Sequence, residues 1–574
     1  MKNIFKKGIP VLFVLFGFFG CSDFDEINEN PNRFTSDEVS AKFFMTELQI
    51  QLYAPNRFPY WRAQLIHADR YAGHFTFGFN GSWWNDGLGY DYNSGYTDAA
   101  YDYMAGYLGK LSGFINFVQD GGDLENEQFY AIGLIMKGLY YQMYVDTFGM
   151  APYSEAFDPE NLTPKYDELA IIYEGVISEL DEAMSIIGDA SVTGDGIELL
   201  TNNDLFFNGD MQKWKKLANT LKLRMALRAE GAEGASFAEN AIAEAMAAPL
   251  LTTEDENALM EKDVEISQWA NAAYGDVWWN FGLGSNWTVG RTLIDYLREN
   301  DDPRLTRYAQ PIDGGEVVLT QAAEGEARDM FAKHAEFILQ QLEDAEVPFT
   351  TTSGSKTVDG VSVDTVGVSI APGEYYVGQP TRLNGFIYNQ VKEEFFSRPA
   401  DIVINPKNQG KPIFPEIVMS AAEGNFLQAE AIVKGMGAGD AQALYQEGIR
   451  QAMKMWEVPD GEIDTFLATE DIALLNGTSE ENLEKIAVQL WLASYTDGFQ
   501  AWAVVRDTGY PSELYNGVSD FDIFEVGTTL NGAYPQRMRY GNGAYNTNGD
   551  NTSAAVQQQG PDVQGTTLWW AKQQ

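Results

Sequence analysis

The sequence predicts an all-α protein built from antiparallel helical hairpins, with long loops and at most one small β-hairpin. Apolar residues recur at spacings of three and four in the segments 126–148, 166–187 and 211–229, which is the pattern of an amphipathic helix. The segment 417–456 carries two such stripes in succession, and a further helix is expected at about 480–495. Helical periodicity therefore dominates the chain.

The segment 417–456 is the tightest of these units. Small residues such as Ala429 and Gly448 allow its two helices to approach closely, the glycine-rich stretch 435–439 ends the first helix, and Asp440 is placed to cap the second. Two antiparallel helices joined by a short turn form a helical hairpin. Its length and its alternation of small and large residues resemble a tetratricopeptide repeat.

The remaining segments are less regular. Residues 346–383 are rich in Thr, Val, Gly and Ser, which predicts a small β-hairpin or a mobile loop. Residues 515–574 show little periodicity. We expect an irregular tail there that packs back onto the body through Trp569 and Trp570.

The start of the chain has the pattern of an export signal. Three lysines within the first seven residues precede an apolar run at 9–19, which is too short to span a bilayer at ~20 residues. The one cysteine of the chain, Cys21, follows this run and is interpreted as a lipidation site, the alternative being a plain signal peptide with an incidental cysteine. We therefore predict a signal peptide at 1–20, a lipidated flexible tether at 21–35 and a single domain at 36–574.

The composition excludes some classes of protein. The formal net charge of −45 repels phosphate backbones and argues against nucleic-acid binding. The same charge disfavours a strongly anionic ligand unless a local basic pocket exists. With one cysteine there can be no internal disulfide bond.

Two loop-like segments, rich in glycine and asparagine, combine aromatic rings with polar side chains. This mixture suits a sugar, because flat rings cover its apolar faces while polar groups at the rim bind its hydroxyls. The alternative is that some of these rings fix the loops to the body, with one ring of each adjacent pair facing inwards. The predicted ligand-binding residues are Trp83, Trp84, Tyr90, Tyr92, Trp278, Trp279 and Trp287.

Catalytic and metal-binding patterns are weak. His67 and His74 could share a helix face, but zinc needs more ligands at closer spacing, so structural histidines are expected. Calcium binding by the Asp-, Asn- and Gly-rich loop 189–210 stays open, although the loop does not have the spacing of an EF-hand. Phosphate loops and nucleophile elbows have no convincing match. We predict no catalytic residue, no metal site and no cofactor.

Short motifs are spread along most of the chain, and the stretch 425–431 (NFLQAEA) is among the most distinctive. The others are 25–32, 146–149, 152–156, 164–167, 172–173, 208–210, 214–224, 302–305 and 509–511, together with Trp502 and Arg506. In this order, the motifs resemble the SusD/RagB family of outer-membrane nutrient-binding lipoproteins.

The resemblance implies a right-handed superhelix of tetratricopeptide-like hairpins, overlaid by loop-rich segments that carry the ligand site. It also implies a SusC-like TonB-dependent transporter as partner, and a lipid-anchored location at the outer membrane facing the cell exterior. The acidic residues after Cys21 resemble the surface-export signal of Bacteroidota lipoproteins. Most of the motif residues are interpreted as structural. The basic residues of 213–228 are expected on a solvated helix face, the alternative being a face toward the transporter.

Three functions remain open from the sequence. The first is non-catalytic capture of oligosaccharides, which the tryptophan-rich loops favour. The second is capture of peptides, as on the RagB side of the family, which requires backbone donors and acceptors more than stacked rings. The third is a surface glycosidase, which has no motif in support.

Overall fold

The computed structural model describes residues 39–53, 60–77, 89–158, 160–260, 287–404 and 413–573. Residues Ala41–Gln574 form one compact unit. The predicted signal peptide, Cys21 and the tether lie outside the described residues.

The described fold is mainly helical, as predicted, with small antiparallel sheets. One π-helical segment, Tyr60–Asp69, lies near the start. The α-helices are α1 (Lys42–Tyr53), α2 (Ser94–Val118), α3 (Glu127–Phe148), α4 (Leu169–Ile187), α5 (Met211–Ala229), α6 (Ala238–Met246), α7 (Arg291–Glu299), α8 (Leu305–Tyr308), α9 (Glu326–Asp329), α10 (Phe331–Asp344), α11 (Gly385–Phe395), α12 (Asp401–Ile404), α13 (Ala421–Val433), α14 (Ala441–Met455), α15 (Asp460–Thr469), α16 (Ser479–Ala493), α17 (Gly498–Thr508), α18 (Ser512–Tyr515) and α19 (Asn542–Gln559).

Consecutive helices pack against each other as hairpins. This holds for α3 with α4, α4 with α5, and α13 with α14. The predicted caps are confirmed, since Asp210 accepts hydrogen bonds from the backbone N–H groups that open α5 and Asp440 does so for α14. Gly448 is required by close packing, because a Cβ there would lie 2.5 Å from the ring of Phe426 on α13.

The strands of the described ranges form four small antiparallel sheets. Three of them are pairs: β1 (Phe75–Phe77) with β5 (Trp287–Val289), β2 (Ala151–Pro152) with β3 (Tyr166–Asp167), and β4 (Ala258–Met260) with β9 (Glu416–Met419). The fourth has the order β6 (Gly315–Thr320), β8 (Val361–Ile370) and β7 (Phe349–Val358).

The hairpin β7–β8 confirms the strand pattern seen at 346–383. Its turn residues Asp359 and Gly360 have φ angles of 49° and 79°, the left-handed geometry of a two-residue hairpin turn. The sheet covers a second apolar cluster, smaller than the main core, that includes Leu319, Ile338 and Val368.

The C-terminal region differs from the predicted irregular tail. Residues 542–559 form α19, although this polar sequence buries only Ala544, Thr552 and Ala555 and therefore lacks an apolar stripe. The tail does pack back as predicted: Trp570 is 1% exposed, and its indole N–H donates to Asp146 Oδ1 at 2.8 Å.

The basic residues of α5 also correct the sequence interpretation. Lys222, Arg224 and Arg228 are buried rather than solvated. Arg224 donates to both carboxylate oxygens of Glu423 at 2.5 Å, and Arg228 pairs with Asp146. Buried charges persist only when they are paired, so this side of α5 holds the helices together.

The three described histidines are structural. His67 and His74 are buried, and burial lowers the pKa of His67 to about 4 and that of His74 to about 3. The Nε2 of His74 lies 3.2 Å from the carbonyl oxygen of Trp491, and that of His334 lies 2.9 Å from the carbonyl of Asp522.

Two acids beside this helical core predict a dependence of stability on pH. Burial raises the pKa of Asp497 and of Asp507 to about 7, against 3.8 for an ordinary aspartate. Between these values the folded protein holds protons that the unfolded chain has released, so stability is greater below this window and falls as pH rises through 7. These two carboxyls should together raise the free energy of unfolding at pH 5 by a few kcal/mol relative to pH 8. The lowered pKa values of His67 and His74 act in the opposite direction, because the unfolded chain binds their protons as pH falls through 6.5.

Urea denaturation at the two pH values measures this difference. The double variant Asp497→Asn/Asp507→Asn should lose the carboxyl contribution, since the amides cannot titrate, so its stability should change more in favour of pH 8 than that of the unchanged protein. An unchanged pH slope in that variant would show that other groups cause it.

Candidate functional site

The strands β1 and β5, which border the two tryptophan-rich segments in the sequence, pair with each other in a short ladder. Its strands run antiparallel, with Phe75 opposite Val289 and Phe77 opposite Trp287. The chain therefore leaves the ladder after Phe77 and re-enters it at Trp287 at the same end. Residues 78–88 and 261–286, which follow Phe77 and precede Trp287 in the sequence, thus attach to the body at neighbouring points.

Buried hydrogen bonds join strand β5 of this ladder to two other segments of the chain. Thr288 Oγ1 donates to Gln379 Oε1 at 2.6 Å, and the N–H of Val289 donates to the carbonyl of Ser397 at 2.9 Å. Gly290 follows β5, and a Cβ there would lie 1.9 Å from the carbonyl oxygen of Gly73, so only glycine fits. The attachment points are therefore fixed by packing.

Four of the predicted ligand-binding residues, Trp83, Trp84, Trp278 and Trp279, lie outside the described residues. Eight tryptophans lie within the described ranges, and all but Trp569 are buried. The described body thus uses its indoles mainly for packing.

Trp287 and Tyr90 correct the prediction. Trp287 is 1% exposed because strand pairing places it in the core, and Tyr90 is 4% exposed. The guanidinium groups of Arg70 and Arg382 each lie 4.9 Å from the Tyr90 ring centre, and its hydroxyl donates to the carbonyl of Arg70 at 3.2 Å. Neither ring is available to stack on a ligand.

Tyr92 is the predicted ring that stays partly accessible. It is half-buried, and its hydroxyl donates to Asp98 Oδ1 at 2.9 Å. The guanidinium of Arg539 lies 3.8 Å from the ring centre and covers one face. Burial, followed by the hydrogen bond to Asp98, raises the pKa of Tyr92, so the hydroxyl stays protonated and neutral.

Arg382 anchors the end of the first segment and was missed by the sequence analysis. It is 3% exposed, and one of its Nη atoms donates to the carbonyl of Gly89 at 3.1 Å. Its other N–H groups donate to carbonyls of the loop 525–533. No local pattern marks this residue, because all of its partners are distant in sequence.

Metal and membrane features were also sought within the described ranges. No group of three or more His, Cys, Asp or Glu residues in them is arranged to hold a metal ion. In the same ranges, no helix combines the length and apolar character needed to cross a membrane.

Comparison with solved structures shows what the fold resembles. A structure named as a chitin-binding protein has a TM-score of 0.68 and 23% identity, covering 93% of this chain and 99% of that chain. A SusD-like protein from Bacteroides thetaiotaomicron has a TM-score of 0.67 and 22% identity, with 93% and 99% covered. A chitin-binding SusD homolog from Flavobacterium johnsoniae has a TM-score of 0.66 and 20% identity, with 93% and 98% covered. At these identities the similarity concerns the fold.

Among curated proteins, no relative matches this chain. A family model does: SusD-like_2, described as starch-binding and associating with the outer membrane, matches residues 31–541. Since this match spans most of the chain, and the helical fold agrees with it, the protein belongs to the SusD-like family.

Proposed function

We propose that the protein is a non-catalytic cell-surface lipoprotein that captures oligosaccharides and delivers them to a SusC-like TonB-dependent transporter. The observation that carries the glycan part is the pairing of Phe77 with Trp287, which brings one end of each tryptophan-rich segment to the same place on the body. Membership of a family described as starch-binding supports it. Two similar structures carry chitin-binding in their names, which agrees with a glycan ligand.

The proposed binding residues are Trp83, Trp84, Trp278 and Trp279, with Tyr92 beside them. Indole rings stack on the C–H faces of a sugar, and each is expected to contribute on the order of 1 kcal/mol. Several rings must therefore act together for useful affinity.

Lipidation at Cys21, attachment to the outer membrane and the transporter partner are further parts of the proposal. They are supported by the apolar run that precedes Cys21 and by the family description. Lipid attachment would hold the body beside a transporter without a membrane-spanning helix.

Calorimetric titration with chitin- and starch-derived oligosaccharides tests the binding proposal. The pair variants Trp83→Ala/Trp84→Ala and Trp278→Ala/Trp279→Ala should each weaken binding at least about fivefold, the loss expected for one stacking ring. Phe386→Ala is the control, because this ring is 55% exposed and lies on α11, outside the tryptophan-rich segments.

Three outcomes would contradict the proposal. Unchanged affinity in both pair variants would remove the proposed site. Binding of peptides with no glycan bound would favour peptide capture. Release of shortened sugars, abolished by one carboxylate substitution, would establish an enzyme.

A further inference from the structure

Tyr92 lies where two distant parts of the chain meet, next to the end of the first tryptophan-rich segment. It follows Gly89, the first described residue after segment 78–88, by three positions. Asp98, near the start of α2, contacts the Tyr92 hydroxyl, and Arg539, from the segment before α19, contacts the ring. The fold thus brings a carboxylate and a guanidinium to one tyrosine beside the proposed binding segment.

The guanidinium of Arg539 is held in place while its hydrogen-bond donors stay unused. It lies 3.8 Å from the centre of the Tyr92 ring, and its Nε lies 3.9 Å from Asp562 Oδ2, which is too far for a hydrogen bond. Asp562 pairs more closely with Arg537, at 3.0 Å. Within the described ranges the Arg539 guanidinium makes no hydrogen bond, and although Nε is buried, the two Nη nitrogens are accessible to solvent.

This arrangement leaves donors that a ligand can use. A guanidinium carries five N–H groups in one plane, and stacking on an aromatic ring occupies the face of that plane and leaves its edge free. The Arg539 side chain is 26% exposed, so the free edge is not closed off by the rest of the described chain. A donor that is fixed in direction before binding loses less entropy when the ligand arrives.

Asp98 supplies hydrogen-bond acceptors at the other end of Tyr92. One carboxylate oxygen accepts from the Tyr92 hydroxyl at 2.9 Å, and the other accepts from Asn542 Nδ2 at 2.7 Å. These two bonds fix the orientation of the carboxylate. An ionised carboxylate has about four acceptor positions, so each oxygen can accept a second hydrogen bond from a ligand.

A fixed donor and a fixed acceptor on one tyrosine suit hydroxyl groups. A hydroxyl both accepts and donates, so two neighbouring hydroxyls can be bound by a guanidinium and a carboxylate together. A carboxylate or sulfate on the ligand would be repelled by Asp98, and the net charge of −45 adds to that repulsion. The arrangement therefore favours an uncharged ligand with adjacent hydroxyls.

We propose that Arg539 and Asp98 bind two adjacent hydroxyl groups of a neutral oligosaccharide whose sugar ring lies beside Tyr92. Arg539 donates to one hydroxyl, and the neighbouring hydroxyl donates to Asp98. The inference rests on the proposed glycan-capture function. It defines the ligand as a neutral sugar with adjacent free hydroxyls, and it adds to the site two residues that the sequence analysis did not select.

Calorimetric titration of the full chain with two pairs of ligands tests the hydroxyl requirement. Maltohexaose and cellohexaose carry adjacent free hydroxyls at C2 and C3 of their units, and each is compared with the same oligosaccharide methylated at these two positions. At least one of the unmodified sugars should bind. Its methylated form should bind about tenfold more weakly, because a methyl ether oxygen cannot donate to Asp98.

The variant Arg539→Met tests the donor. Methionine keeps an unbranched chain that can pack on the Tyr92 ring but has no N–H group, so binding of the unmodified sugar should weaken about tenfold. Because Arg539 makes no hydrogen bond in the described structure, the variant should keep the near-UV circular dichroism of the unchanged protein. Arg450→Met is the matched control, since Arg450 is 29% exposed, lies on α14 and pairs with Asp464.

The outcomes separate this inference from the proposed function. Unchanged affinity in Arg539→Met, or equal binding of the methylated and unmodified sugars, would overturn the inference. Tighter binding of hexagalacturonate than of both neutral sugars would also overturn it. If N-acetylchitohexaose binds and neither maltohexaose nor cellohexaose does, the inference fails while the proposed function stands. If Arg539→Met weakens binding but the two tryptophan pair variants do not, the proposed tryptophan surface fails and this inference stands.

Discussion

Replacing Asp146 with alanine is expected to lower the free energy of unfolding by about 3 kcal/mol, since it removes the nearest carboxylate of the buried Arg228, whose other carboxylate neighbour, Asp507, lies at 3.8 Å. Asp146 lies near the end of α3 and is 3% exposed. One oxygen pairs with Arg228 and accepts from Gln142 at 2.7 Å. The other accepts from the hydroxyl of Tyr173 at 2.5 Å and from the indole of Trp570 at 2.8 Å.

These partners come from four parts of the chain, of which Gln142 on α3 is the first, so the loss should affect the whole fold. Arg228 lies on α5, Tyr173 on α4, and Trp570 in the C-terminal tail. Asp146→Ala should therefore shift the urea midpoint in a single cooperative transition.

Asp460→Ala is the control, because Asp460 is 76% exposed and lies 3.8 Å from Lys454 Nζ. It should change stability by less than about 1 kcal/mol. A similar small change in Asp146→Ala would show that Arg228 finds another partner or water, and that the buried network contributes little.

The helices could be predicted because their signals are local. In α3, α4 and α5, apolar spacing repeats within one segment, and the N-cap Asp210 directly precedes the helix that it begins. By contrast, α19 buries few residues and has no apolar stripe, so the same reasoning gave an irregular tail. Local propensity and tertiary packing, which the sequence pattern does not show, decide its structure.

The basic residues of α5 are buried, whereas the sequence interpretation placed them on a solvated helix face. A run of basic residues on a helix is usually solvated, but Arg224 and Arg228 meet Glu423 and Asp146, which are about 200 and 80 positions away. Those carboxylates could not be chosen from 83 acids by inspection of the sequence. The same limit applied to Trp287, because the ladder that buries it pairs residues more than 200 positions apart.

The two segments of the candidate site stay a prediction from composition, and the residues that support them could not be predicted. The sequence pointed to the glycine- and asparagine-rich stretches by composition, and the described structure adds where they attach. Tyr90 was included with them because it is close in sequence, although it packs beneath Arg382. Arg382, which anchors the end of the first segment, belongs to no sequence motif.

Substituting Arg382 with methionine is expected to weaken glycan binding as well as stability. Its guanidinium nitrogens lie 2.9–3.1 Å from four carbonyl oxygens to which they donate, those of Gly89, Glu525, Gly532 and Ala533. They also donate to the carbonyl of Val526. Methionine has a similar length but no donor, so these buried acceptors lose their partner. The expected loss is about 4 kcal/mol, because hydrogen bonds to a charged group contribute more than neutral ones.

The effect on binding follows from the position of Gly89. It is the first described residue after segment 78–88, which carries Trp83 and Trp84. Without Arg382, this end of the segment loses its hydrogen bond at Gly89 and is held to the loop 525–533 through Asp91, which accepts from the N–H and the hydroxyl of Thr528. The attachment of the proposed indole surface is therefore weakened at this end. Oligosaccharide affinity should fall about tenfold, since ordering a loop on binding costs free energy that pre-organisation avoids.

Arg398→Met is the control for both measurements. Arg398 is 40% exposed and pairs with Asp313 at 3.0 Å, so its loss should leave both stability and affinity close to those of the unchanged protein. Titrations of Arg382→Met must be run at a temperature where near-UV circular dichroism shows a folded core. If the variant is destabilised there but binds oligosaccharide with unchanged affinity, the anchor serves the fold alone, and segment 78–88 does not depend on it for binding.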